Sequence, residues 1–378
     1  MEKTYYQNIK IVRYRGDMVN GESHGQGKLY YPNGLIEYSG TFIKNKFEGN
    51  GILYYPNGNI RYSGEFSNNK ANGLGKVYNS DCTLIFEGMF KDHYWYEGEM
   101  INGIPNGKGK LYFVDMDYSE LTNKLIKELN YFKNVGLRYE GNFLDGKFHG
   151  NGTLYICRHD FKFDENSKTY KYMLNEINNV FPNNQLPIYS GEFADNMFDG
   201  VGELYTYNQE QFENLESNTN LKKLILYSGH FKNNYPHGFG TLYYKVYEQG
   251  IHHYFTDEDD VKHISQNIIT KFNYSRIKLS NNYLKCEGEF VNGILSSAKV
   301  FNTSNILKYE GEIDYGDFHG NGTYYNDDGT IKYSGTFNQN IWYSGEKLFG
   351  KFHGKGKIYQ DGIIIFDGNF SNGLAHGT

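Results

Sequence analysis

A triplet of aromatic, polar residue and Gly returns at a fixed interval, and this recurrence constrains the chain more than any other feature. Tyr14-Arg15-Gly16 is followed by Tyr38-Ser39-Gly40, Tyr62-Ser63-Gly64 and Phe86-Glu87-Gly88, so the glycines stand at 16, 40, 64 and 88, a constant step of 24. Self-similarity at a period of a few tens of residues marks an array of small units, each unable to bury its apolar face without its neighbours. Within a unit the order is kept. A Phe or Met follows the Gly by two residues, then a turn rich in Asn and Gly, then Gly-x-Gly-x-aliphatic-Tyr, as in Gly25-Gln26-Gly27-Lys28-Leu29-Tyr30. Two units add Tyr-Pro-Asn-Gly at 31–34 and 55–58, a turn signal. Further starts fall at Tyr96, Tyr139, Tyr189, Tyr227, Tyr309, Tyr333, Tyr343 and Phe366, with a degenerate start at Cys286. The units at Phe86 and Tyr333 are cut short by a new start ten residues on, and each ends in one of the chain's only two tryptophans, Trp95 and Trp342.

The residue types explain the expected fold. In Tyr-x-Gly-x-Phe the Tyr, Gly and Phe share one face and the polar residues the other, which is strand logic. Asn20-Gly21, Asn102-Gly103, Asn292-Gly293 and Asn372-Gly373 are strong two-residue hairpin signals. Gly weakens a strand, yet it lets a neighbouring aromatic ring lie across the bare backbone. With 45 Gly and 37 Tyr but only 6 Pro, the composition fits many short strands and tight turns, neither collagen nor a flexible linker. The expected fold is mainly β: an elongated single antiparallel twisted sheet of serial β-hairpins with helical insertions.

The unit Tyr139-Glu140-Gly141-Asn142-Phe143-Leu144-Asp145-Gly146-Lys147-Phe148-His149-Gly150-Asn151-Gly152-Thr153-Leu154-Tyr155 resembles the MORN (membrane occupation and recognition nexus) repeat. The resemblance covers most of residues 14–378. The family's His-Gly step stands at His24, His149, His237, His319, His353 and His376, and becomes Asn72, Asn106, Glu48 or Asp199 elsewhere. The unit at Cys286 departs most, with Ser296-Ser297-Ala298-Lys299 in place of His-Gly-x-Gly, and a distorted or lost hairpin is expected there.

The resulting organisation is an N-terminal capping strand in 1–13, with Tyr5 to Val12 extended, then repeats in 14–112, 139–155, 188–205, 226–244 and 285–378. Insertions occupy 113–138, 156–187, 206–225 and 245–284. All four follow the Gly-x-Gly strand and precede the next Tyr-x-Gly, so they leave from one end of the hairpins. Three carry helical apolar spacing: Leu121, Leu125, Leu129 and Phe132 within 118–135, a stripe in 167–181, and another in 258–273. Packing of these helices on the sheet is the expectation; presentation of the first stripe to a partner is the alternative.

No residue set points to catalysis, cofactor or metal. The histidines of the His-Gly step belong to different units and should be spaced about one hairpin, ~10 Å, apart, too far for shared ligation. No Gly-x-Gly has the dinucleotide or Walker context, and no nucleophile elbow occurs. Cys82, Cys157 and Cys286 are odd in number and widely spaced, which favours a reducing cytosolic setting over disulfides or zinc. A net charge of −6 disfavours nucleic acid. Lysines read as scattered pairs such as Lys44 and Lys46 or Lys108 and Lys110, against docking on anionic lipid by bulk charge. No signal peptide, membrane-spanning run or lipidation box is read.

The expected function is a non-catalytic, cytoplasmic scaffold that grips a partner helix or extended peptide at the cell cortex, the cytoskeleton or the cytoplasmic face of a membrane. The anchors expected on its aromatic face are Tyr38, Phe42, Tyr62, Phe66, Tyr139, Phe143, Tyr189, Phe193, Tyr227 and Phe231. The last unit, at Phe366 and Phe370, offers an edge for homodimerisation. The alternatives are direct phosphoinositide or membrane binding, and a structural part in a ciliary or flagellar assembly, both of which the resemblance implies.

Overall fold

The structure is a computed structural model and describes residues 2–5, 12–114, 135–155, 187–207, 223–243, 283–314 and 316–376. It resolves into two compact units. The first holds β1 (Glu2–Tyr5), β2 (Val12–Val19), β3 (Glu22–Tyr30), β4 (Ile36–Ile43), β5 (Lys46–Tyr54), β6 (Ile60–Ser67), β7 (Lys70–Tyr78) and β8 (Leu84–Phe90), one eight-stranded sheet in chain order. It also holds β9 (Tyr94–Ile101), β10 (Ile104–Val114) and β11 (Val135–Leu144), likewise paired in order. In the second unit, β12 (Lys147–Tyr155), β13 (Pro187–Ala194), β14 (Met197–Tyr207), β15 (Lys223–Lys232), β16 (Tyr235–Tyr243), β17 (Tyr283–Val291), β18 (Ile294–Asn302), β19 (Leu307–Asp314), β20 (Asp317–Tyr325) and β21 (Ile331–Phe337) run in chain order. A separate four-stranded sheet follows: β22 (Ile341–Leu348), β23 (Lys351–Gln360), β24 (Ile363–Ser371) and β25 (Leu374–His376).

The expected serial hairpins are thus present, with three adjustments. An extra N-terminal strand is described over Glu2–Tyr5 and pairs with β2 through Glu2↔Gly16, while most of the expected Tyr5 to Val12 lies outside the described residues. Two insertions, expected at 113–138 and 206–225, start later and end earlier than the repeat period indicated. β10 and β11 pair out to Val114↔Val135, and β14 and β15 out to Tyr207↔Lys223. The helices expected in 118–135, 167–181 and 258–273, with Leu121, Leu125, Leu129 and Phe132, lie outside the described residues. Finally, the strands do not make a single sheet; the ladder is interrupted twice, as described below.

Count each unit from its opening aromatic as position 0. The glycines at +2 and +13 then fall in one line across the sheet: Gly16↔Gly27, Gly27↔Gly40, Gly40↔Gly51, Gly51↔Gly64, Gly64↔Gly75 and Gly75↔Gly88. The ring at position 0 lies along this furrow. Its hydroxyl donates to the carbonyl at +3, from Tyr38 to Thr41 at 3.2 Å, Tyr62 to Glu65 at 3.0 Å and Tyr189 to Glu192 at 2.9 Å. A Cβ at Gly51 would sit 2.6 Å from Cε2 of Tyr38, so bare backbone is what makes room for the ring. The phenol's polar end is satisfied while its ring is buried.

The other repeat aromatics complete a single layer. The ring at +4 meets its own Tyr edge-on and also the Tyr of the preceding unit, as Phe42 does with Tyr38 and Tyr14, both at 5.1 Å. The ring at +9 stacks flat on position 0: Tyr38–Phe47 at 3.8 Å, Tyr189–Phe198 at 3.7 Å, Tyr309–Phe318 at 3.9 Å and Tyr343–Phe352 at 3.9 Å. Such pairs contribute about 0.5–1.5 kcal/mol each beyond the burial of their area. The chief contacts of every strand are with its neighbours in sequence, so this row of rings is the core.

A second link runs through the turns. In Lys44-Asn45, Asn68-Asn69, Asp195-Asn196 and Asn233-Asn234 both residues adopt positive φ, the two-residue turn that suits the twist of a hairpin. The second residue, at +7, clamps the preceding hairpin. Asn69 donates its N–H to the Phe47 carbonyl at 3.1 Å and accepts the Phe47 N–H on Oδ1 at 2.7 Å. Asn45 with Ser23, Asn196 with Phe148 and Asn234 with Phe198 repeat the double bond. Where the facing +9 residue is proline, which has no N–H to give, position +7 is glycine. Gly146 donates to the Pro105 carbonyl at 2.9 Å and Gly293 to that of Pro236 at 2.8 Å. Replacing Asn69 by Gly, which keeps the turn's backbone freedom, should cost about 1 kcal/mol through the lost side-chain acceptor. Faster amide exchange confined to Phe47 and its neighbours is the expected readout; unchanged exchange there would rule the clamp out as a source of stability.

Of the distorted or lost hairpin expected at Cys286, the structure shows a hairpin that is kept but altered. β17 and β18 pair over their length, with Cys286↔Val300 and Gly288↔Ala298. Two changes offset each other. Cys in place of Tyr leaves no ring in the furrow, so Ala298 takes a place that glycine holds elsewhere; Cys286 and Ala298 are both buried. This hairpin also lacks the positive-φ glycine at +11, and its return strand is one residue shorter, with +2 facing +12 instead of +13. That deletion explains the step of 23 between Gly288 and Gly311.

Both interruptions of the ladder fall at the two cut units. Between β8 and β9 only the bridge Lys91↔Tyr94 remains, and between β21 and β22 only Asn338↔Ile341. The tryptophan occupies +9 and is sandwiched. Phe86 and Tyr112 stack on Trp95, each at 5.0 Å; Tyr333 at 5.7 Å and Tyr359 at 5.1 Å stack on Trp342. A three-ring stack stands where backbone hydrogen bonds are missing.

Candidate functional site

The face that the repeats leave to solvent follows from their periodicity. Positions 0, +2, +4, +9 and +13 are used by the core, so +1, +3, +5, +8, +12 and +14 carry whatever the protein shows to others. The ten aromatics expected as exposed anchors are core residues instead. Tyr38, Tyr62, Tyr139, Tyr189 and Tyr227 are fully buried, and Phe42, Phe66, Phe143, Phe193 and Phe231 nearly so, because neighbouring units cover them edge-on and flat. Phe370 is buried against Phe366 at 5.0 Å. Missing from the sequence reading was the ring at +9, which closes the layer from the return strand.

Burial also fixes the ionisation of these phenols. It raises the pKa of Tyr38, Tyr62, Tyr139, Tyr227 and Tyr309 above the ordinary 10.0, and that of Tyr205 to about 12. The sign for stability follows. Below pH ~10 both folded and unfolded chains keep these protons and stability is unaffected; above it the unfolded chain releases them first. Stability should therefore fall steadily as pH rises past about 10. Tyrosinate absorbance should rise in two classes, the later one together with loss of the β circular dichroism. A single class near the free phenol value would contradict the buried ring row.

On the solvent face, charge is arranged in cross-strand pairs. The residue at +14 faces +1 of the next unit, Lys76–Glu87 at 2.8 Å, Lys110–Glu140 at 3.0 Å and Lys357–Asp367 at 2.9 Å, and in the shortened Cys286 unit Lys299 at +13 does the same with Glu310 at 3.4 Å. Elsewhere the same places hold hydroxyls, Thr153 with Ser190 at 3.1 Å and Thr323 with Ser334 at 3.0 Å. Exposed ion pairs of this kind add little stability, but they neutralise the row. At +3 a carboxylate accepts the N–H at +12, from Leu74 to Glu65 at 3.2 Å and from Val201 to Glu192 at 2.8 Å. This bond caps the strand where the positive-φ glycines Gly73 and Gly200 break its pairing.

Large apolar side chains stand out on this polar face. Leu74 and Met89 lie directly opposite each other, 60% and 63% exposed. In the second unit Val201 faces His230 and Phe239 faces Glu289, with Val201 and Phe239 about half exposed. Among the described residues no three His, Cys, Asp or Glu side chains converge as a metal-binding group, and no helix is long and apolar enough to cross a membrane. The arrangement offers shape, hydrogen bonding and apolar contact on a regular pitch.

A family model described as MORN repeat matches ten stretches: residues 14–36, 38–60, 62–81, 96–115, 139–159, 189–210, 227–247, 309–331, 343–363 and 366–378. The three units it passes over are those at Phe86, Cys286 and Tyr333, the two cut hairpins and the shortened one. No curated protein matches the chain.

Proposed function

This chain belongs to the MORN-repeat family, and on that premise we propose that it is a non-catalytic scaffold whose solvent face holds an extended segment of a partner protein. The observation that carries the reading is the division of labour within the unit. Residues that define the repeat are consumed by the core, while the outward positions vary and place Leu74 opposite Met89, and Val201 and Phe239 on the corresponding row. Solvent-exposed apolar side chains on a rigid pleated surface suit a peptide that lays alternate residues against them. The paired lysines and carboxylates weigh against the same face binding anionic lipid, since each Lys–Glu pair presents no net charge. A place at a membrane–cytoskeleton or organelle surface is the setting that goes with this reading.

The test is affinity purification of the full chain from its native cell, beside variants carrying Leu74→Glu with Met89→Glu, or Val201→Glu with Phe239→Glu. Loss of the same partner from a face variant whose circular dichroism is unchanged supports the reading. Full recovery by both variants, with loss only when 113–138 or 245–284 is deleted, would move the binding site to the insertions.

A further inference from the structure

We infer that the solvent face of β13 to β17 is a docking strip for an extended protein segment of the pattern basic-x-apolar-x-apolar-x-basic. The inference rests on the scaffold reading and names the chemistry of the segment held. One line of side chains crosses these strands. Glu192 accepts the Val201 N–H at 2.8 Å, and Val201 faces His230. His230 Nδ1 lies 3.3 Å from the Phe239 carbonyl, and Phe239 faces Glu289. The line therefore runs acid, apolar, imidazole, apolar, acid. Neighbouring strands are ~4.8 Å apart, so the two carboxylates, four strands apart, are separated by about 19 Å. An extended chain advances ~6.7 Å for every second residue, so its first, third, fifth and seventh side chains span ~20 Å on one face. The outer two reach Glu192 and Glu289; the inner two reach Val201 and Phe239.

Charge says which segment fits. Four other units place Lys28, Lys76, Lys110 and Lys357 at +14, whereas here that position holds Thr153, Glu203 and Thr241. The lysines that remain on β17 and β18 are paired, Lys285 with Glu287 at 2.6 Å and Lys299 with Glu310 at 3.4 Å. Among the described residues no cation pairs with Glu192, Glu203 or Glu289. Glu192 takes a backbone N–H and Glu203 the Tyr205 hydroxyl at 2.7 Å, bonds that leave each negative charge uncompensated. Lys232 stands on the tip side of His230 and offsets one of the three. The apolar pair of the first unit differs, since Leu74 and Met89 lie beside the neutral pair Lys76–Glu87. Apolar anchors rimmed by unpaired carboxylates complement a segment with cationic ends, and this complementarity selects the partner more than it tightens the grip.

The probe is the end-capped, fluorophore-labelled peptide Lys-Thr-Val-Thr-Ile-Thr-Lys, titrated with the full chain by fluorescence anisotropy beside versions ending in Ser or Glu. At low ionic strength the Lys-ended peptide should bind about tenfold more tightly than the Ser-ended one, and added salt should remove that margin. Glu192→Gln with Glu289→Gln keeps an acceptor for the Val201 N–H and should erase the margin. Val201→Ser with Phe239→Ser should weaken both peptides alike. Glu65→Gln with Glu87→Gln, in the first unit, should change nothing. No binding, equal binding of the Lys- and Glu-ended peptides, or a margin that survives Glu192→Gln with Glu289→Gln would each overturn the inference, as would a margin lost in the first-unit variant. Such a failure leaves the scaffold reading standing, because recovery of the native partner decides that. If the native partner survives Val201→Glu with Phe239→Glu while the charge margin holds, the strip is supported and the scaffold reading alone falls.

Discussion

Gly51→Ala should destabilise its part of the first unit by about 2–3 kcal/mol, the cost of overpacking a site that cannot relax. The new methyl would lie 2.6 Å from both Cζ and Cε2 of Tyr38. That ring has no free direction. Phe47 stacks on it at 3.8 Å, Phe42 and Phe66 meet it edge-on at 5.1 and 5.2 Å, and its hydroxyl is bonded to Thr41. The glycine cannot yield either, since it pairs with Gly40 on one side and Gly64 on the other. Gly136→Ala is the control. Nothing lies within 4 Å of a Cβ there and its φ is not positive, so the change should be neutral or stabilising by about 0.5 kcal/mol. Because arrays of this kind unfold locally, exchange of the amides in β4 to β6 is a better readout than a global melt. Equal protection in the two variants would mean the rings do not occupy the furrow.

Trp342→Ala should be larger still, about 3–5 kcal/mol, as for other buried aromatic truncations. Here the indole is the main material joining β21 to β22. It is 2% exposed, lies between Tyr333 and Tyr359, and touches Tyr324 at 4.9 Å and Phe337 at 5.3 Å. One isolated bridge is the backbone's contribution. Trp342→Phe should recover more than half of the loss, since among the described residues its Nε1 has no hydrogen-bond partner. Trp95→Phe should recover less, because the Trp95 indole donates to Glu97 at 3.3 Å. The expected signature is exchange that accelerates in β20, β21 and β23 together. Acceleration of β21 alone would show that the stack does not couple the two sheets.

The parts of the fold set by local chemistry were legible in the residues. Tyr-x-Gly-x-Phe, Gly-x-Gly and Asn-Gly each fix a strand face or a turn within a few residues, and every hairpin start read from them opens a described strand. Features that depend on contact between units were not. The exposure assigned to Tyr38 and Phe42 failed because Phe47 and Phe66, on other strands, close over them. The role of Asn69 was hidden because its partner, Phe47, is 22 residues away. At Cys286 the motif is broken in sequence, yet the hairpin has dropped one residue and kept its pairing. On the solvent face, Leu74 and Met89 carry no motif, and only register places them opposite each other.

The matching of proline with glycine at the turns has a consequence for how such a chain can change over generations. Pro105 is met by Gly146 and Pro236 by Gly293, while Ser23, Phe47, Phe148 and Phe198 are met by asparagine. A hairpin copied or moved behind Pro105 or Pro236 would bring the wrong partner unless its turn carries glycine, because an asparagine oxygen would face a ring nitrogen without a proton. The constraint runs one way, since the glycine turn at Gly373 meets Phe352, which keeps its N–H. The repeats look alike, yet the two with proline at +9 restrict which hairpin can follow them.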